Sequence, residues 1–139
     1  MNPIIALRKG YFDALEGNIT VDMITIPIYD GVNPNEESMY IVLAERSATQ
    51  EDNKCGFDYS CTMLVDCVVK STNFGYYKSD DIAEQVLGFI NSNSLLDLTA
   101  YGFEMVSTEL TDTNNLTSLN PEDGVFRTLL RFSHKLHKI

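Results

Sequence analysis

Hydrophobic residues recur along this chain at two spacings, and the change between them marks out its elements. From Asn2 to Glu16 the spacing is helical: Ile4, Leu7, Tyr11 and Ala14 form one stripe, widened by Ile5, Phe12 and Leu15, while Arg8, Lys9, Asp13 and Glu16 supply a solvated side. Asn2 offers an oxygen to the first orphan amides, and Pro3 suits the first helical position because its missing N–H would be unpaired there anyway. Gly17 fits a left-handed stop. A second helical stripe, Ile82, Val86, Phe89 and Ile90, follows Ser79, Asp80 and Asp81, which place a capping side chain and negative charge at its start; it should end near Asn91.

The other spacing is two. Phe57, Tyr59, Cys61, Met63, Val65, Cys67 and Val69 alternate with Asp58, Ser60, Thr62, Leu64, Asp66 and Val68, which predicts a long half-buried strand. Shorter β segments are expected at Ile19 to Met23 and Ile24 to Tyr29, with Pro27 suited to an edge. Met39 to Glu45 reads as a strand, and Tyr101 to Thr111 as a strand whose apolar face changes midway, as at a bulge. A last strand carries Phe126, Leu130 and Phe132 against Arg127, Leu129 and Arg131. Residues 31–38 and 47–56 have loop compositions, and 116–123 reads as a turn-rich break. The economical fold is α+β: one domain over residues 1–139, a mostly antiparallel sheet of about five or six strands, and two helices packed on one face.

Composition adds a constraint on partners. At 139 residues and 44% hydrophobic the chain can bury an ordinary core, yet it carries a net charge of -10, which disfavours binding to phosphate backbones and anionic lipid. The charge is uneven. All twenty acids lie in residues 1–123, whereas 124–139 hold Arg127, Arg131, Lys135 and Lys138 and no acid. No signal-peptide core or membrane-spanning stretch is visible, so a cytosolic origin is expected, and the sequons Asn18-Ile19-Thr20 and Asn115-Leu116-Thr117 are coincidental on that reading. Cys55, Cys61 and Cys67 are odd in number and lack metal-ligand spacing, so reduced core thiols are expected.

Chemistry is hard to find in the sequence. It has no nucleophile elbow, HExxH, P-loop or dinucleotide fingerprint. His134 and His137 fall in the last six residues, where a fraying, solvated basic tail is expected, and they could offer at most two metal ligands. Asp58 and Asp66, eight residues apart on one strand face, stand too far apart to act together and read as surface charges. Tyr76 and Tyr77 fit either an exposed contact or a packed turn. No catalytic residue, metal or cofactor is therefore expected.

Five segments, NPIIALRKGYFDALEG, ITIPIYDGV, YIVLAERSATQEDNKCGFDYSCTMLVDCVV, SDDIAEQVLGFIN and VFRTLLRFSHKL, resemble in order and spacing the bacteriophage tail completion, or tail terminator, family. The likeness spans nearly the whole chain and departs at Glu36, Glu37, Ser38 and Met39, where such proteins often carry a proline. It implies a mixed α/β subunit that forms a ring at the tail terminus or head–tail junction, six-fold or of higher symmetry, with neighbouring tail and neck proteins as partners. It implies no cofactor and no catalytic residue. DNA would be a passing cargo in an acidic lumen. A head-to-tail ring needs two unlike patches. The charge asymmetry suggests Arg127, Arg131 and Lys135 of one subunit against Glu51 and Asp52 in a polar loop of the next; the alternative is that these cations pair with Asp58 or Asp66 on their own sheet. A rival reading is a monomeric or dimeric domain binding a small ligand in an apolar pocket lined by Tyr59, Met63 and Phe89.

Overall fold

The computed structural model describes residues 2–31, 38–53, 56–71, 76–119 and 124–139. Helix α1 spans Pro3–Leu15 and opens as predicted, with Asn2 Oδ1 accepting the Ile4 N–H at 2.8 Å; a cap of this kind contributes about 1 kcal/mol. Gly17 follows with φ +77°. Two short strands, β1 (Thr20–Val21) and β2 (Ile24–Thr25), form a hairpin, and β3 (Ile28–Asp30) leaves it for the main sheet. Strands β4 (Met39–Asn53) and β5 (Gly56–Ser71) are long antiparallel partners. Helix α2 (Tyr77–Phe89), a 3-10 turn at Thr99–Tyr101, and strands β6 (Phe103–Leu119) and β7 (Gly124–Lys138) complete the chain.

The main sheet has five strands in the order β3-β4-β5-β7-β6, antiparallel except for the parallel β3–β4 pair. The fold is thus the expected α+β arrangement. Both helices cover one face: Leu7, Tyr11 and Leu15 of α1 and Ile82, Val86 and Ile90 at α2 are fully buried with Ile41, Met63, Val65, Leu130 and Phe132 of the sheet. Burying each such side chain contributes about 1.5–3 kcal/mol, so this layer dominates stability. A smaller apolar cluster, Tyr40, Val42 and Val68, lies on the other face. The thiols of Cys61 and Cys67 are free and buried in the core, while Cys55 lies outside the described residues.

Several local expectations change. Residues 47–53, expected in a loop, continue β4, and 116–119, expected in a break, continue β6. Both stretches lie along free edges of the sheet: β6 bounds one side, and β4, whose residues 47–53 are mostly polar, bounds the other wherever β3 does not cover it. Glu104, Glu109 and Asp112 on β6 and Glu45 on β4 are exposed there. The break at 120–123 and the loop at 32–37 lie outside the described residues. Ser79 does not cap α2, which begins two residues earlier; its hydroxyl is buried and donates to the Tyr76 carbonyl at 3.0 Å. The expected change of face in β6 appears as two register shifts, Met105/Ser107 and Leu110/Asp112. A further shift in β4 between Leu43 and Arg46 turns Arg46 toward Asp30, which also pairs with Arg8 of α1 at 3.3 Å. That bridge ties α1 to the sheet edge.

Candidate functional site

The cationic segment 124–139 is a strand, and its alternation decides what its charges can reach. Even positions from Phe126 to Leu136 point to the helices and are buried, while Arg127, Leu129, Arg131, Ser133, Lys135 and His137 occupy the uncovered sheet face. The three predicted cations thus share a face, but they differ in engagement. Arg127 clamps Asp66: its Nε lies 3.0 Å and 3.2 Å from the two carboxylate oxygens, and a terminal nitrogen also donates to Oδ2. This fork geometry is the strong form of the ion pair, and it raises the Arg127 pKa. Asp66 is 3% exposed, so it is no free surface charge; the same-sheet alternative holds for this pair.

The other cations are held more loosely. Arg131 reaches only to 3.8 Å from Glu45, whose side chain is 76% exposed, and it sits opposite Asp112 in the ladder. Lys135 is exposed and makes no ion pair within 4 Å among the described residues. Asp58 is bonded by His137 Nδ1 at 2.6 Å, not by one of the predicted cations. Glu51 and Asp52 lie on β4, registered opposite Asp58 and Phe57, so these backbone positions fall on alternate faces of the sheet and not in a loop. Beside Arg131 a groove of about 270 Å³ opens, bordered by Leu64, Leu116 and Leu129 with Asp112 and Asn114.

His134 overturns the expectation of a frayed tail. It is fully buried, with Nε2 at 2.5 Å from the Tyr11 hydroxyl and Nδ1 at 2.9 Å from the Thr108 hydroxyl, and its ring stacks on Phe132. Burial lowers its pKa to about 4 and raises that of Tyr11, so both are neutral at pH 7 and the three groups form a satisfied chain. A second network fixes the start of α2 and runs from core to surface: the buried Thr128 hydroxyl lies 2.9 Å from the Ser79 hydroxyl and 2.8 Å from Asp80 Oδ1, and the exposed Asn115 donates to Asp80 and Thr128 at 3.0 and 2.9 Å. Neither network was foreseen from the sequence.

Cys61 faces His134 across the ladder, but burial pushes its thiol up to about 11, away from the reactive thiolate. Among the described residues no group of three or more His, Cys, Asp and Glu could hold a metal. The three residues of the rival ligand pocket are dispersed: Met63 is core, Tyr59 packs edge-on against Phe103, and Phe89 borders a groove beside Gly10 and Leu96. Tyr76 packs on Phe126 and bonds Thr117, whereas Tyr77 is 71% exposed. No helix among the described residues is long and apolar enough to cross a membrane.

No family model matches the sequence, and no curated protein matches it. Solved structures do share the fold. A chain of the structure named "Virion of native gene transfer agent (GTA) particle" aligns with a TM-score of 0.60 at 14% identity, over 78% of this chain and 77% of its own. A second, whose name states no function, aligns with a TM-score of 0.59 at 12% identity over 96% of each chain.

Proposed function

We propose that the chain is a structural protein of a phage-like virion, a tail completion (tail terminator) subunit that closes into a homo-oligomeric ring at the tail terminus or head–tail junction. The observation that carries this reading is the fold it shares with a chain of a gene transfer agent virion, reached independently of the sequence resemblance to tail terminators. Supporting it, the apolar core and the buried Tyr11–His134–Thr108 chain of the subunit are structural in kind, and its two faces differ: one is covered by helices and the other is bare sheet. Unlike surfaces are what a heterologous ring contact requires.

In this reading the subunit works by geometry and adhesion. Its partners are its own copies, six-fold or at higher symmetry, and the adjoining tail and neck proteins. Because Arg127 is committed to Asp66, the cations available to a neighbour are Arg131 and Lys135, with Glu51 or Asp52 of the next subunit as candidate acceptors. The net charge of -10 suits a lumen through which DNA passes without adhering. The finished protein would reside in the virion after synthesis in the bacterial cytoplasm.

Sedimentation of the purified chain, alone and with tails or necks, tests this. A ring visible by electron microscopy is expected, and Arg131→Glu should prevent it while leaving the circular dichroism spectrum unchanged. A chain that stays monomeric in the presence of its virion components would refute the reading. A ring whose lumen wall carries Arg127 and Arg131 would refute the acidic-lumen part of it.

A further inference from the structure

Two features flank α2 on opposite sides. The first is the β1–β2 hairpin, whose two-residue turn, Asp22–Met23, holds both residues at positive φ (52° and 67°). Such a turn matches strand twist but strongly prefers Asn-Gly, because side chains other than those of Gly, Asn and Asp resist the left-handed region. Met23 occupies it regardless, and its side chain is 100% exposed, with Ile24 beside it 52% exposed. Asp22 is paired with Lys78 at 2.9 Å, so the tip carries an apolar side chain over a compensated charge. Gln85 fixes the hairpin's base, bonding the Thr20 N–H and carbonyl at 3.0 and 2.8 Å.

The second feature is a groove of about 280 Å³ lined by Leu87, Ile90 and Leu110 with polar Asn91, Ser92, Thr108 and Glu109 around them, and Leu110 is 39% exposed. The surface it exposes is mostly apolar, and its volume is slightly below the range of about 300–1,000 Å³ typical of small-molecule sites, yet ample for a side chain. Successive helical residues are turned by about 100°. Lys78 and Gln85, which hold the hairpin, therefore lie on one side of α2, and Leu87, which lines the groove, lies on the other. A strained backbone that presents an adaptable thioether to solvent is destabilising for the isolated subunit, and such strain concentrates where a contact uses it.

We infer that the Met23 tip of one copy seats in the Leu87–Ile90–Leu110 groove of the next. The inference rests on the ring reading and supplies its head-to-tail contact: knob and groove sit on opposite flanks, so each copy offers both and the contact is heterologous. Burying one Met side chain corresponds to roughly a ten- to hundredfold gain in association per contact.

The strain gives the test its discriminating power, because replacing Met23 should move folding and assembly in opposite directions. With the full-length chain, Met23→Gly is expected to raise the urea midpoint while converting the assembled species to monomer in sedimentation velocity. Leu110→Glu should abolish assembly with little change in that midpoint. In a Cys55→Ser background, mixing Met23→Cys chains with Leu110→Cys chains under mild oxidation should give a covalent dimer that neither gives alone. If wild type assembles but Met23→Gly assembles equally well, or the cysteine mixture yields no cross-link, the knob-in-groove contact is wrong and the ring reading survives. If wild type never assembles, alone or with tails or necks, both fail.

Discussion

The most direct energetic test of the core is the acid dependence of His134. Its ring is buried between Tyr11 and Thr108, and its pKa falls from 6.5 to about 4 because burial disfavours the charged form. At about 1.36 kcal/mol per tenfold change in proton affinity, this corresponds to roughly 3 kcal/mol. The sign follows from linkage: between pH 6.5 and about 4 the unfolded chain binds a proton that the native chain refuses, so stability rises with pH across that window. The contribution is complete above pH 6.5 and is lost as pH falls to about 4. Carboxylates also titrate in this range, so the informative quantity is a difference. His134→Gln retains a donor and an acceptor for Thr108 and Tyr11 but cannot titrate. Urea unfolding at pH 7.5 and pH 4.5 should show wild type losing about 2–3 kcal/mol more than this variant on acidification. Parallel losses in the two proteins would refute the claim that the buried ring is held neutral.

Arg127→Leu should destabilise by about 2–3 kcal/mol in urea unfolding, because it strands the buried Asp66 carboxylate, whereas Asp66→Val with Arg127→Leu should recover most of that loss; equal costs for the single and double variants would contradict the clamp. Tyr11→Phe removes the hydroxyl facing His134 Nε2 and should cost about 1–3 kcal/mol with no change in α1 content by circular dichroism. Neither change alters the cations left for a neighbour, so at concentrations where the subunit remains folded, assembly should respond to Arg131→Glu and not to Tyr11→Phe.

The parts of the fold with an apolar face were legible in the sequence. The stripe in α1, the cap at Asn2, the alternation through β5 and the mostly antiparallel sheet under two helices all follow from periodicity, because one buried face leaves a mark every second or every third to fourth residue. What escaped notice lacks such a face. Residues 47–53 and 116–119 are strand because a neighbour supplies the hydrogen-bond ladder; the first stretch is mostly polar and the second, Leu-Thr-Ser-Leu, does not alternate, so both look like loop. His134 was within reach: Phe126, Leu130, Phe132 and Leu136 keep a period of two through it, so the strand had no reason to stop before it. Its burial depends on Tyr11 and Thr108, which only the tertiary fold brings near. Of the candidate interface residues, the sequence grouped Arg127, Arg131 and Lys135 correctly on one face but could not reveal that Asp66 already occupies the first of them. The Asp22–Met23 turn was invisible because it contains neither the Gly nor the Asn by which such turns are recognised.

The rims of the main sheet bear on how such a protein survives at high concentration. Unpaired strand margins invite further strands, and a chain can grow into open fibres by that route. Here Glu104, Glu109 and Asp112 along β6 would meet Glu45 on the opposite margin of another molecule, carboxylate against carboxylate. Unlimited lateral stacking is penalised electrostatically, while contacts made elsewhere on the body are spared. The same acidity that gives the chain its net charge of -10 thus works against precipitation through the sheet margins.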